Sequence, residues 1–223
     1  MRQGTLGVSP SARTPRHRRR RRACPNLAEG AQSPRPVLWL ARHGETEWSR
    51  NLRHTGRTDI PLTPRGEEEA RGLRGALARV EFDRVLCSPL GRARETCALA
   101  GLGNGAEFRD DLLEWDYGDY EGVTTRKIRE RSPDWVLWRD GCPGGESPED
   151  IGRRADSVVA ELLNGHGRMI AVFAHGHILR VLAARWLELQ PSDGRLFGLG
   201  TGTLSRLGWE HESRVIESWN APV

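Results

Sequence analysis

A chain of 223 residues is long enough for one domain with a substantial core and a tail. Its hydrophobic share of 37% contains no apolar run approaching the roughly 18 residues of a membrane-spanning helix, which excludes that class. The net charge of +4 is unevenly spread: residues 1–33 carry eight arginines against one acid, Glu29, so the tail is +7 and the remainder −3.

The tail is rich in Pro, Ser, Gly and Arg without apolar periodicity, and it is expected to be disordered. It lacks the apolar centre of a secretory signal. Three readings stand for the arginine run at 16–22: an arm for nucleic acid or an anionic surface, an organellar transit segment, or an extension from an upstream start codon. We favour the last, because one lysine (Lys127) among 34 basic residues has the look of a GC-rich coding sequence. The mildly acidic remainder does not interleave aromatic and basic residues as a nucleic-acid surface would, so nucleic acid is not expected as a partner beyond the tail. Four cysteines (Cys24, Cys87, Cys97, Cys142) show neither C-x-x-C nor zinc-like spacing, which fits a reducing cytoplasm. The organisation expected is a tail at 1–33 and a domain at 34–223.

In chain order, residues 37–41 form an apolar run of strand length that stops at Arg42-His43-Gly44. A short helical piece and a loop containing Thr55-Gly56 follow. Thr63-Pro64 is a helix entry, and Ala70, Leu73, Leu77 and Val80 give a helical stripe to about residue 78. Residues 82–87 read as a second strand closed by Ser88-Pro89, with a helix at 90–100 and a short edge strand at 107–109. An acidic, aromatic loop occupies 110–122. Helical pieces are expected at 125–131 and 133–138, and Ser147 with Asp150 opens a helix to about 163 as a capping box. A third apolar strand at 169–174 ends in His175-Gly176-His177, with a helix at 178–187. Two final strands, 204–209 and 214–219, flank a polar turn. Strands alternating with helices predict a three-layer α/β/α domain, a mostly parallel sheet with helices on both faces.

Ligands in such sheets bind at the carboxyl ends of strands. If the three apolar strands are parallel neighbours, Arg42, His43, Arg92 and His175 meet at one edge. Two arginines and two histidines make a poor core without a counter-anion, and phosphate is the natural one. A His-x-His pair could instead suggest zinc, but converging arginines argue against a cation.

Leu40-Ala41-Arg42-His43-Gly44-Glu45-Thr46 resembles the L-x-R-H-G-[EQ]-[ST] signature of the histidine phosphatase superfamily, the phosphoglycerate-mutase-like fold. Thr55-Gly56 with Asp59 and Leu62-Thr63, Ser88-Pro89-Leu90 through Arg92-Ala93 to Thr96, Leu113-Glu114 leading to Gly118 and Glu121-Gly122, and Ala174-His175-Gly176 are similar to that family's further motifs in the same order. The resemblance covers residues 36–219. It implies that His43 attacks phosphorus to give a phosphohistidine, and that Arg42, Arg92 and His175 clamp the phosphoryl oxygens. It implies further that Glu114 protonates the leaving oxygen, with a pKa moved towards neutrality, and that no metal or other cofactor takes part. Asp116, Asp119 and Glu121 crowd Glu114, and one of them could serve instead. On the substrate side it implies Thr55, Gly56, Tyr117, His177 and Gly176. Ser49 belongs there too, standing where mutase relatives carry asparagine.

Within the family, the short, tryptophan-rich segment 124–146 favours a phosphatase over a cofactor-dependent phosphoglycerate mutase, whose relatives close the site with a longer basic insertion. The segments 114–118 and 141–147 resemble the subgroup of acid phosphatases and sedoheptulose-bisphosphatases. The resemblance therefore implies a metal-independent phosphomonoesterase acting on sugar phosphates or similar small phosphorylated metabolites. A reading from another class is a non-catalytic phosphate- or nucleic-acid-binding protein. Exposed Trp135 and Trp138 would line either a lid or a homodimer face.

Overall fold

Apolar runs that end in polar turns form the strands β1 (Val37–Arg42), β2 (Arg84–Cys87), β3 (Glu107–Phe108), β4 (Met169–Ala174), β5 (Leu204–Glu210) and β6 (Ser213–Ala221). The helices are α1 (Glu47–Arg50), α2 (Pro64–Leu77), α3 (Gly91–Leu99), α4 (Thr125–Arg129), α5 (Leu137–Asp140), α6 (Pro148–Asn164) and α7 (Gly176–Trp186). The computed structural model describes Met1, Gly4 and residues 35–223. Apart from those two isolated positions, the expectation for the 1–33 tail, its arginine run and Cys24 included, lies outside the described residues.

The six strands make one sheet in the order β3-β2-β4-β1-β5-β6. β1 to β4 are mutually parallel, while β5 runs antiparallel to β1 and pairs with β6 as a hairpin. Side chains alternate across the sheet with the strand period of two. Leu38, Leu40, Leu86, Ile170, Val172 and Leu207 enter a core shared with α6 and α7. Ala41, Cys87, Ala171 and Phe173 enter the opposite core, against Leu73 and Leu77 of α2 and Ala93 and Cys97 of α3. Two cores, one on each face, make the three-layer α/β/α architecture. Among the described residues, no helix is long and apolar enough to cross a membrane.

The caps form where their residues stand in the chain. Thr63 accepts from the Gly66 N–H (3.1 Å) ahead of Pro64, and Ser147 exchanges hydrogen bonds with Asp150. Three elements differ from expectation. The helical piece at 133–138 is α5, displaced to Leu137–Asp140, because the Asp140 carboxylate caps the Val136 N–H (2.7 Å) and Gly141 ends the turn at φ 63°. α7 begins at Gly176 rather than 178. A 3-10 segment at Pro191–Leu196, opened by Gln190 and Asp193, lies in a stretch to which the sequence assigned no element.

The turn out of β1 is built on close backbone approach. A Cβ on Gly44 would stand 2.1 Å from the Gly66 carbonyl oxygen, and one on Gly66 would stand 2.1 Å from the Glu45 oxygen. Neither backbone atom can step aside. Gly44→Ala is expected to cost about 3 kcal/mol of stability, read as a lower urea midpoint. An unchanged midpoint would show that the turn shifts freely.

Candidate active site

Strand register brings the chemistry together. Arg42 pairs with Ala174 across β1 and β4, and Cys87 with Phe173 across β2 and β4, so His43, Ser88 and His175 leave the sheet at one carboxyl edge. The His43 N–H donates to the Ala174 carbonyl (3.0 Å) and the Ser88 N–H to that of Phe173 (2.9 Å), extending the ladder one residue further. The His43 and His175 rings lie 5.2 Å apart between centroids.

His43 is 4% exposed. Its Nδ1 lies 2.8 Å from the Gly44 carbonyl, which can only accept, so Nδ1 carries the proton and Nε2 holds a bare lone pair. Burial, then the charges of Arg92 and Arg42, push its pKa well below the usual histidine range, so the ring is neutral near pH 7. Beside it, Arg42 donates through Nη1 to the Leu199 carbonyl, while its buried Nε has no partner among the described residues. Gly176 lets this guanidinium lie against the start of α7, since a Cβ there would stand 3.3 Å from the Arg42 Cζ.

Arg42, His43, Ser49, Thr55, Glu114, Tyr117, Gly176 and His177 share the wall of a cavity of about 630 Å³. Glu114 is the one carboxylate on that wall. Asp116, Asp119 and Glu121 do not line it, which resolves the crowding in the acidic loop. Glu121 instead accepts from the N–H groups of Gly56 (2.9 Å) and Thr58 (3.0 Å). Gly56 is likewise off the wall. Its N–H faces Glu121 and its carbonyl accepts from Arg92 (2.8 Å), so it shapes the loop rather than facing the cavity. Ser49 reaches the wall, but its hydroxyl closes the capping box of α1, accepting from the Thr46 N–H and donating to the Thr46 carbonyl (both 2.9 Å).

Arg92 and His175 stand behind His43 rather than on the wall, and both are fully buried. Arg92 donates through Nε to His175 Nδ1 (3.1 Å) and through its terminal nitrogens to the carbonyls of Thr58, Thr55 and Gly56. Because Arg92 only donates, His175 Nδ1 accepts, and a neutral His175 then presents its Nε2–H to Ser88 Oγ at 2.7 Å. Arg92 and the neutral His175 thus form a hydrogen-bonded pair packed behind His43.

Glu114 also departs from expectation. Its carboxylate accepts from the backbone N–H groups of Trp115 (2.9 Å), His177 (2.9 Å) and Ile178 (2.9 Å), the last two at the N-terminus of α7. Burial pushes its pKa up, but the hydrogen bonds it accepts outweigh that, and the group is held well below the usual carboxylate range. The expected neutral-range pKa is not what this carboxylate has. Tyr117, 2% exposed and with its pKa pushed up by burial, keeps its proton and lies 2.6 Å from His177 Nδ1.

The wall also holds residues outside the motifs, among them Arg53, His54, Arg126, Arg180 and Leu199. Arg180 was legible in principle, because it lies one helical turn after Gly176 on α7. Trp135 and Trp138 are not exposed surfaces. Trp135 is 7% exposed, edge-on to His54, and Trp138 is half-buried beneath the Arg180 guanidinium at 4.6 Å.

His43, His54, His175 and His177 all have lowered pKa values, with burial the first cause in each. Such a group binds its proton more readily in the unfolded chain, so folding stability is full above the unfolded pKa of about 6.5 and is lost as pH falls below it. For His54, lowered to about 4, the loss spans the interval between those values. The thermal midpoint is expected to fall on acidification from about pH 7 to about pH 5. A flat midpoint over that range would contradict neutral burial of these rings.

The family model of the histidine phosphatase superfamily (branch 1) matches residues 38–222, and the chain belongs to that superfamily. It is 43% identical over 182 residues to an acid phosphatase of Mycobacterium tuberculosis, covering 80% of this chain and 89% of the relative. It is 39% identical over 185 residues to the sedoheptulose 1,7-bisphosphatase of Saccharomyces cerevisiae, covering 69% of this chain and 68% of the relative. The solved structure of a Mycobacterium tuberculosis open-reading-frame product superposes with a TM-score of 0.80 at 40% identity, covering 84% of this chain and 98% of that one. A mycobacterial glucosyl-3-phosphoglycerate phosphatase superposes with a TM-score of 0.75 at 27% identity, covering 83% and 99%. The protein is a phosphatase of this superfamily with the phosphoglycerate-mutase-like fold.

Proposed function

We propose that the protein is a metal-independent phosphomonoesterase that hydrolyses sugar phosphates or similar small metabolites through a phosphohistidine on His43. One observation carries the reading. The unprotonated Nε2 of His43 shares a wall with the unpartnered Nε of Arg42 and with one carboxylate, Glu114. Nucleophile, anion donor and proton carrier are thereby in one cavity, whose volume suits a small metabolite.

The steps follow from these groups. His43 Nε2 forms a bond to phosphorus as the ester P–O bond breaks, and Arg42 holds the charge spreading over the phosphoryl oxygens. Arg92 adds positive potential from behind, and the neutral His175, held by it, adds donor order. The leaving oxygen takes a proton from Glu114. Water then attacks phosphorus, the Glu114 carboxylate takes its proton, and the P–N bond breaks to return neutral His43. Since Glu114 is ionised in the free site, its proton enters with a substrate monoanion, and the negative phosphoryl group beside it raises its affinity for that proton. Thr55, Tyr117, His177 and Gly176 face the substrate.

The test is a steady-state assay with EDTA present, following phosphate release from aryl and sugar phosphates and isomerisation of 3-phosphoglycerate in parallel. Phosphate release that survives chelation supports the reading. Isomerisation without release would make the chain a mutase, and neither signal would favour a binding protein.

A further inference from the structure

Glu114 is fixed at both ends. The N-terminus of α7 holds its carboxylate, and one side chain of α6, Arg154, holds its backbone from outside the cavity. A guanidinium has five N–H donors, and those of Arg154 are all engaged. Nε and Nη2 fork onto the Glu146 carboxylate (both 2.7 Å). Nη1 donates to the carbonyls of Asp111 (3.0 Å) and Leu113 (2.8 Å), and Nη2 to that of Glu114 itself (3.3 Å). The two paired side chains are 18% and 15% exposed, and neither residue lines the cavity.

Glu146 carries the brace to the far side of Glu114. Its carboxylate accepts from the Asp116 N–H (2.9 Å), and its own N–H donates to the Asp116 carbonyl (2.9 Å). Its carbonyl accepts from Trp115 Nε1 (2.9 Å). The two loops meet closely, since a Cβ on Gly145 would stand 2.3 Å from the Asp116 carbonyl oxygen. After the 3-10 turn at Asp110–Leu112 the acidic loop has no ladder to engage the carbonyls of Leu113 and Glu114, and the guanidinium engages them instead. Its rigid fork suits a carboxylate and three carbonyls at once, which an ammonium with three donors cannot serve. The base is firm, because Ile151, Ala155 and Val158 of α6 enter the same core as Ile178, Leu179 and Val181 of α7. The helix that holds the Glu114 backbone and the helix that holds its carboxylate thus form one packed unit.

We propose that Arg154, braced by Glu146, is a positioning residue for proton transfer: it sets the Glu114 carboxyl within reach of the leaving oxygen without touching substrate. This rests on the reading of Glu114 as the proton carrier. Proton transfer needs heavy atoms within roughly 3 Å of each other, and a misplacement of about 1 Å costs on the order of 10²-fold.

The test measures kcat/KM, which reads phosphoryl transfer to His43 ahead of the later hydrolysis, on a sugar phosphate and on nitrophenyl phosphate. Arg154→Met is expected to lose about thirtyfold on the sugar phosphate, but to stay within about threefold on the nitrophenyl ester, whose leaving oxygen needs little protonation. Added to Glu114→Gln, it should cost less than about threefold more on the sugar phosphate, because no proton remains to be placed. General loosening of the fold would depress both esters alike and would multiply with Glu114→Gln, and either result overturns the proposal. If a thermal melt shows Arg154→Met unfolded, Glu146→Gln decides. Its amide nitrogen would face a donor of Arg154 or Asp116, and about a tenfold loss with the same contrast between esters is expected. Equal rates on both esters relative to wild type would overturn the proposal there too. A Glu114→Gln that shows no contrast between esters removes the proton-carrier reading and the proposal with it. Contrast in Glu114→Gln without contrast in Arg154→Met removes the positioning role alone.

Discussion

His43→Ala is expected to lower kcat by at least about 10⁴-fold while the fold persists. No neighbouring group can take over. His175 has Nδ1 engaged by Arg92 and Nε2 set against Ser88 Oγ, and His177 Nδ1 is held by Tyr117. Stability should change little, because among the described residues the side-chain hydrogen bond of His43 is to the adjacent Gly44 carbonyl alone. The variant should also unfold less readily in acid than the wild type, since a buried ring with a lowered pKa has been removed. Aryl phosphate turnover together with a thermal melt checks both statements. Activity within tenfold of wild type would remove His43 from the chemistry.

Glu114→Gln is expected to reduce kcat on a sugar phosphate by about 10²- to 10³-fold, and less on an aryl phosphate whose leaving oxygen needs little protonation. The contrast between substrates separates proton transfer from general damage, because a mere loss of structure would depress both alike. Some structural cost is expected: the Gln amide nitrogen would face an N–H of Trp115, His177 or Ile178, and donors opposed in this way cost about 1 to 3 kcal/mol. A melt therefore accompanies the kinetics. The pH dependence of the wild type carries a definite sign. Glu114 is ionised in the free site, so the proton must come with the substrate, and kcat/KM should fall as pH rises through the second phosphate ionisation near about 6. A kcat/KM that climbs steadily from acid into alkaline conditions would contradict this proton route.

The sheet centre was legible because its strands are unbroken apolar runs, and the motifs at their ends could be located without coordinates. Register then follows from pairing, which put His43, Ser88 and His175 on one edge as the strand ends suggested. What single residues could not show was which face of a side chain meets the cavity. Arg92 and His175 read as clamps, yet their donors turn towards loop carbonyls and towards Ser88. Glu114 read as a carboxyl near neutrality, because its place at the N-terminus of α7 depends on residues more than sixty positions away. The same distance hid Arg53 and Arg126 on the wall, whose loops meet through the Arg53–Thr124 bridge and the hydrogen bonds of His54 with Val123 and Gly122. Trp135 looked available for a surface and is instead packed against His54 and Tyr120.

The most direct measurement is rapid-quench trapping of the working enzyme under alkaline conditions, followed by peptide mass spectrometry. The account predicts one phosphoryl group on the peptide containing His43, formed within the first turnover, stable to base, lost in acid, and absent from His43→Ala. Full turnover without a phosphoryl group on that peptide, or with one on another residue, would contradict it.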